Sequence, residues 1–146
     1  MTCIYSPFWV FGIIINYTES LPLGLYRKIA EVPVRGSYVL FKLTNPEYRP
    51  YAQGQLIKRV AGIRGDHIRI NCDEIWINGE AVKDSKQCLI DRNGSPLPTL
   101  VLDHVLADDE LLCLGENVRS FDSRYFGIVK KDQIITALSP VFTFKK

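Results

Sequence analysis

The sequence predicts an all-β fold of packed antiparallel sheets or a small barrel. Three observations carry this prediction. After Tyr26 the apolar residues recur mostly with a period of two, no long stretch has the apolar spacing of an amphipathic helix, and Asn78-Gly79 stands between β-forming residues. Asn-Gly favours a type I′ turn, in which both central residues need positive φ, so a tight hairpin is expected there.

The predicted strands follow one another with turn residues between them. Glu110 to Leu114 is a further apolar run, which stops at Gly115. The strands are Val34 to Leu43, Gln55 to Ala61, Asp66 to Asn71, the two arms of the hairpin between Ile75 and Val82, and Ile134 to Phe144. Pro140 interrupts the last of these, which predicts a strand at a sheet edge, because proline cannot donate to a neighbouring strand. The two prolines between Asn45 and Tyr51 predict a loop.

The composition is that of an ordinary globular domain. The chain has 146 residues, of which 47% are hydrophobic and 23% charged, and its net charge is only +2. Its Lys and Arg residues are scattered, so no nucleic-acid partner is expected. The four cysteines lack the paired spacing of a zinc or redox site, so neither a metal nor another cofactor is expected. Cys72 and Cys88 flank the predicted hairpin and either form a disulfide in an oxidising compartment or stay reduced.

The N-terminal stretch is unusual because no charged residue occurs from Cys3 to Ile15. At ~1.5 Å rise per residue, such a helix is too short to cross a ~30 Å hydrocarbon core. It also lacks the basic start and cleavage site of a secretory signal peptide. Residues 1–15 are therefore interpreted, in order of preference, as part of a membrane anchor, a segment in the membrane interface, or a first buried strand.

Two hydroxyl side chains, those of Thr18 and Ser20, precede Pro22 and Gly24. Backbone next to proline and glycine continues neither a helix nor a sheet ladder, which tends to expose a serine hydroxyl and the neighbouring N–H groups. This makes Ser20 a candidate nucleophile. A capping or turn serine remains the simpler interpretation of this segment alone.

Lys58 is the candidate base. In a strand it shares a face with Leu56 and Val60, and burial there lowers the pKa of a lysine amine, whereas the guanidinium of Arg59 stays protonated. A neutral amine can take a proton from a serine hydroxyl; the alternative is a side chain that extends to solvent. The other titratable groups offer no competing triad: His67 is predicted in a strand, His104 in a loop, and Cys113 as a buried thiol.

Four segments together resemble the signal peptidase I superfamily, and most closely its conjugative-transfer branch, the TraF-type peptidases. In order and spacing, the four segments are similar to that family's nucleophile box, the strand that supports the nucleophile, the general-base box and the last box. The segments are Thr18 to Tyr26, Val32 to Phe41, Ile57 to Asp66 and Gly115 to Gly127. The resemblance covers most of the chain and implies a catalytic domain over residues 16–146, with a small insertion at about 72–112.

The resemblance also implies a role for each site residue. Ser20 would attack the scissile carbonyl and Lys58 would carry the proton to the leaving amine. The Ser20 N–H and the Thr18 hydroxyl would hold the oxyanion. Ser120 would orient the lysine amine, and Asp122 and Arg124 would form a supporting ion pair, for which a surface salt bridge of little energetic worth is the alternative.

The implied activity is that of a membrane-associated serine endopeptidase that cleaves leader peptides from translocated precursors, such as pilin-like subunits of a conjugation or type IV secretion system. It would act at the cytoplasmic membrane, facing the periplasm or the outside. The apolar residues that would dip into the lipid interface, or else belong to the core, are Trp9, Phe11, Leu21, Leu23 and Leu25.

Three alternatives accompany this prediction. A general signal peptidase I uses the same chemistry. A self-cleaving regulator needs an Ala-Gly or Cys-Gly bond ahead of its serine, and the sequence has none before Ser20. A non-catalytic β module of a secretion complex would keep the fold without the reaction.

Overall fold

The computed structural model describes residues 12–16, 18, 20–48, 52 and 54–144. Within them, strands dominate, and the helical elements are the short helix α1 (Ser123–Phe126) and two 3-10 turns, Pro46–Tyr48 and Lys131–Gln133. The strands are β1 (Ile13–Asn16), β2 (Leu23–Ile29), β3 (Tyr38–Lys42), β4 (Gln55–Gly62), β5 (His67–Ile70), β6 (Ile75–Ile77), β7 (Glu80–Ala81), β8 (Leu102–Val105), β9 (Glu110–Leu114), β10 (Val129–Lys130) and β11 (Ile134–Phe144). The predicted all-β fold is confirmed.

The described strands form two antiparallel sheets. The larger has seven strands in the order β1-β2-β11-β3-β4-β9-β10, and the smaller has four in the order β7-β6-β5-β8. The predicted hairpin joins β6 to β7, and Asn78 and Gly79 both have positive φ, 52° and 83°, as a type I′ turn requires. Most of the smaller sheet is supplied by the predicted insertion.

The larger sheet is covered by side chains on both faces where β4 crosses it. The consecutive residues Leu56 and Ile57 point to opposite faces, and each belongs to a different buried apolar cluster. A third cluster packs β5 and β6 against β9, through Ile68, Ile75 and Leu112 among others. The three consecutive residues Leu56, Ile57 and Lys58 of β4 are therefore all buried.

The prediction that the last strand lies at a sheet edge is wrong. Strand β11 lies between β2 and β3. It pairs with β3 only from Ile134 to Leu138, so Pro140 stands beyond the end of that partner and faces β2 alone, at a register shift. The missing N–H is tolerated because a single neighbour is present there. His104, predicted in a loop, lies in β8, where its ring nitrogen contacts the Glu110 carboxylate at 2.8 Å.

The described part of the N-terminal segment is a strand. Residues Ile13–Asn16 pair with β2, so β1 runs across the predicted boundary between residues 15 and 16. Residues 1–11, including Trp9 and Phe11, lie outside the described residues. Leu21 is buried in the apolar cluster with Ile14 and so belongs to the core. Among the described residues no helix has both the length and the apolar character needed to span a membrane.

Candidate active site

The candidate nucleophile, Ser20, lies in the turn between β1 and β2 and is only 1% exposed. Its Oγ lies 3.2 Å from Thr18 Oγ1, so the two hydroxyls predicted from the sequence are neighbours. The Tyr26 hydroxyl donates to the carbonyl of Pro22 at 2.6 Å and holds the end of the turn against β2. The Asn16 side-chain amide donates to the carbonyls of Thr18 and Pro22, on either side of Ser20. Asn16 has no role in the prediction from the sequence, although a polar residue directly after three isoleucines is a signal that a strand ends there.

Lys58 is buried, as the strand pattern predicts. It lies opposite Val39 of β3, on the face of β4 that carries Leu56 and Val60, and it is 2% exposed. The alternative of a side chain extended to solvent is therefore wrong. The next residue, Arg59, points to the other face, with 51% of its side chain exposed, and pairs with Glu116 at 3.2 Å.

The site elements converge on Gly115. In the antiparallel register of β4 and β9, Arg59 pairs with Leu114, and continuing it places Gly115 alongside Lys58. A methyl group added at Gly115 would lie 2.1 Å from Ser120 Oγ and 3.0 Å from the Ser20 carbonyl oxygen. The N–H of the next residue, Glu116, donates to that same carbonyl. The fold thus brings the turn of Ser20, the strand of Lys58 and Ser120 to one place.

Ser120 is fully buried, and its Oγ has no hydrogen-bond partner among the described residues. Leaving a buried hydroxyl unsatisfied costs about 1–3 kcal/mol, and such groups in native structures are often functional. The contact with the lysine amine that the resemblance implies is not made in this structure. The orienting role of Ser120 stays a prediction.

Asp122 and Arg124 form a buried pair, with side chains 0% and 2% exposed, so the alternative of a surface salt bridge is wrong. The guanidinium binds both carboxylate oxygens, with Nε at 2.8 Å and Nη2 at 3.0 Å. The carboxylate also accepts the N–H of Gly115 at 2.8 Å. Nη1 donates to the carbonyls of Val118 at 2.9 Å and Asp84 at 3.0 Å. The pair therefore links the strand end beside Lys58 to the insertion.

The Cys113 thiol is buried and interacts electrostatically with both Lys58 and Asp122. Burial raises the pKa of the neighbouring Cys113 thiol, the Asp122 carboxylate raises it further, and Lys58 opposes this. Cys113 is therefore an inert buried thiol, as predicted, and lies within electrostatic reach of both charged groups. Cys72, Cys88 and Cys113 are free thiols. Among the described residues no His, Cys, Asp and Glu cluster is arranged to hold a metal ion.

Gly115→Ala is expected to lower both stability and activity. The added methyl overlaps Ser120 Oγ and Cβ, the latter at 2.6 Å, and overpacking of this kind costs about 1–3 kcal/mol. Urea unfolding measures the loss. Gly94→Ala is the comparison: nothing lies within 4 Å of its added methyl, and its loss of roughly 1 kcal/mol comes from a positive φ that Gly115 does not share. A Gly115→Ala variant as stable as the unchanged chain would contradict the crowded site.

Comparison with known proteins identifies the family. Residues 8–143 match the family described as signal peptidase, peptidase S26. The chain belongs to this signal peptidase family. The plasmid transfer protein TraF of Escherichia coli is 33% identical over 91% of this chain and 84% of its own length. The resemblance inferred from the four segments is confirmed.

Two further relatives are signal peptidases by name. The probable signal peptidase I-2 of Synechocystis is 30% identical over 70% of this signal peptidase-family chain and 45% of its own length. The solved signal peptidase I of Enterococcus faecalis has a TM-score of 0.46 and 22% identity, and the match covers 75% of this chain and 98% of that one. The proteins similar to this chain therefore include some named for plasmid transfer and some named signal peptidase.

Proposed function

We propose that this signal peptidase-family chain is a membrane-associated serine endopeptidase that removes leader peptides from translocated precursors, with Ser20 as nucleophile and Lys58 as general base. The observation that carries the proposal is the convergence at Gly115 of the Ser20 turn, the buried lysine strand and the unpartnered hydroxyl of Ser120. Serine and lysine placed in this way are the parts needed for acyl transfer without a metal or cofactor.

The reaction follows from the chemistry of these groups. Ser20 Oγ attacks the scissile carbonyl while Lys58 Nζ takes its proton, and the ammonium then gives that proton to the leaving amine. Water then attacks the acyl-enzyme while Lys58 takes its proton, the ester bond to Ser20 Oγ breaks, and Lys58 returns the proton to that oxygen as the leader peptide leaves. The Ser20 N–H and the Thr18 hydroxyl stabilise the oxyanion in both steps. The separation of 3.2 Å between Thr18 Oγ1 and Ser20 Oγ supports this role for Thr18.

The burial of Lys58 supports its role as a base. Desolvation disfavours an ammonium relative to a neutral amine, and only the neutral amine can accept a proton. Ser120 would orient the amine once the substrate closes the site. Asp122 and Arg124 would fix the backbone next to Lys58, because the Asp122 carboxylate accepts the N–H of Gly115, where the site elements meet.

The precursor is proposed to be a pilin-like subunit of a conjugation or type IV secretion system. The support is that the TraF relatives match nine-tenths of this chain, whereas the match to the probable signal peptidase I-2 covers less of it. General leader processing is the second candidate, and the 30% identity to that peptidase favours it. Cleavage of a prepilin-like precursor faster than a general secretory precursor would separate the two.

An apolar surface beside the nucleophile supports a site at the membrane. Phe142 and Phe144 are more than half exposed and contact each other edge to face, with their ring centroids 4.9 Å apart. They pair in register with Leu25 and Leu23, which follow the Ser20 turn directly. We place this surface in the lipid interface of the cytoplasmic membrane, with the site facing the periplasm or the outside.

The experiment that tests the proposal is cleavage of a leader-bearing precursor by the full chain in lipid vesicles across a pH series. If Lys58 must lose its proton to act, kcat/KM rises with pH with a slope of one and then reaches a plateau. Mass spectrometry of the products locates the cut after the leader. A rate that is flat through the alkaline limb would contradict the lysine base, and an intact precursor at every pH would contradict the peptidase.

A further inference from the structure

Asn16 is a buried polar residue at the end of β1, and among the described residues its side chain bonds to the nucleophile turn. It is 1% exposed. Its Oδ1 accepts the N–H of Thr18 at 3.0 Å and lies 2.7 Å from Thr18 Oγ1. Its Nδ2 faces the carbonyls of Thr18, Leu21 and Pro22 at 3.2, 3.4 and 3.2 Å. One amide thus spans the turn that carries Ser20.

The direction of these hydrogen bonds is determined by chemistry. Carbonyls only accept, so Nδ2 must face them, and a backbone N–H only donates, so Oδ1 must face Thr18. Because Oδ1 has no proton, the Thr18 hydroxyl donates to it. Thr18 Oγ1 then receives, rather than gives, the hydrogen bond shared with Ser20 Oγ.

We infer that Asn16 is a positioning residue that fixes the Thr18 oxygen beside Ser20 while leaving its proton free to turn toward the oxyanion. The inference rests on the proposed function. Rotation about the Cβ–Oγ1 bond moves the proton from Asn16 Oδ1 to the developing oxyanion without displacing the oxygen. The bond from the Thr18 N–H to Oδ1 keeps the backbone in place meanwhile. A neutral acceptor suits this exchange because it releases the proton more easily than a carboxylate does.

The test compares Asn16→Ala, Thr18→Val and the double variant, with precursor cleavage as the assay. Each single change is expected to lower kcat by roughly 10²-fold, the scale of a lost or misplaced oxyanion donor, with KM altered by less than about threefold. Because both residues act through one hydroxyl, the double variant should be no worse than the poorer single variant. A serine-directed covalent probe counts folded sites, so the rates are expressed per active site.

A second variant keeps the size of the side chain. Asn16→Asp retains an acceptor for Thr18, yet a carboxylate would hold the hydroxyl proton more tightly and lie beside the forming anion. Its kcat should therefore fall by at least as much as in Asn16→Ala. Asn71→Ala is the matched control, since Asn71 Oδ1 also accepts two hydrogen bonds, from the N–H groups of Asp73 and Glu74, but at the start of the insertion. It should lose stability and keep its kcat.

The outcomes separate the inference from the proposal on which it rests. Full kcat per active site in Asn16→Asp or Asn16→Ala would overturn the inference, and so would losses that multiply in the double variant. If Ser20→Ala itself remained active, the proposed function would fail first. If Ser20→Ala were inactive and the Asn16 variants fully active, only the role of Asn16 would be lost.

Discussion

Replacing Ser20 with Ala, or Lys58 with Met, should abolish cleavage of a leader-bearing precursor, with kcat/KM falling by at least about 10³-fold in each variant. The alanine removes the attacking oxygen, and the methionine removes the amine that takes its proton. The double variant should be no slower than either single variant, because the two groups act as one unit. Timed sampling of the precursor and its product measures all three rates.

The stability of Lys58→Met distinguishes a lost base from a lost fold. Lys58 lies among Val39, Leu56 and Val60 and is only 2% exposed, so an apolar side chain of similar length fits the same surroundings. The substitution removes both the cost of burying the amine and the interactions that the amine makes. We expect the variant to stay folded, with a cooperative urea unfolding transition, while activity disappears.

Matched controls exist for both substitutions. Arg59→Met changes the neighbouring cation, which is half exposed on the opposite face of the same strand, and should leave the rate within roughly threefold. Ser85→Ala removes a buried serine whose Oγ accepts the N–H of Ile75 at 2.8 Å within the insertion. It should cost stability but not activity. Cleavage that persists in Ser20→Ala would leave a non-catalytic β module of a secretion complex as the better description.

Local patterns were enough to predict several strands. Strand β4 differs from its prediction by one residue at its end, and β9 coincides with the apolar run from Glu110 to Leu114. The Asn78-Gly79 turn was predictable because its backbone requirement lies within two residues. In each case the information sits inside the element itself, in alternation or in turn chemistry.

Strand order and burial depth could not be read in the same way. Alternation along β4 shows which face Lys58 occupies, but its burial depends on β3 and on the apolar cluster that contains Leu56 and Val60. Pro140 correctly marks a place where a neighbour is missing, yet the position of β11 between β2 and β3 depends on pairing with segments about a hundred residues earlier in the chain. These features are set by contacts between distant segments.

In the candidate site, too, local patterns identified some residues, whereas others depend on contacts between distant segments. Thr18, Ser20 and Lys58 were identifiable from residue type, spacing and family resemblance. Asn16 was missed because an asparagine after an apolar strand also suits an ordinary strand end, and its bonds to the turn depend on side-chain direction. Gly115 was missed as a point of convergence because its lack of a side chain matters only beside Ser120.

Breaking the buried Asp122–Arg124 pair should cost about 3–5 kcal/mol of unfolding free energy, whichever partner is removed. In Asp122→Ala the guanidinium keeps its place without a counter-charge, and in Arg124→Met the carboxylate loses both of its guanidinium hydrogen bonds. Urea unfolding measures each loss. The double variant should lose clearly less than the sum of the two, because it leaves no unpaired charge.

The exposed pair Arg59–Glu116 serves as the comparison, with half of the arginine side chain and 39% of the glutamate side chain in solvent. Glu116→Gln should cost less than about 1 kcal/mol. Similar losses at the two pairs would contradict the assignment of the buried pair as a structural link.

The pair should also hold the insertion against the site, which a second measurement can detect. Arg124 Nη1 binds the carbonyls of Asp84 and Lys86, and the Tyr125 hydroxyl accepts the N–H of Cys88 at 2.8 Å. Arg124→Met removes the hydrogen bonds to the carbonyls of Asp84 and Lys86, so amide hydrogen exchange should speed up most at residues 84–88. Exchange should also rise at Gly115, whose N–H binds the Asp122 carboxylate that Arg124 orients. An effect spread evenly over both sheets would mean global destabilisation instead of a local link between the insertion and the candidate active site.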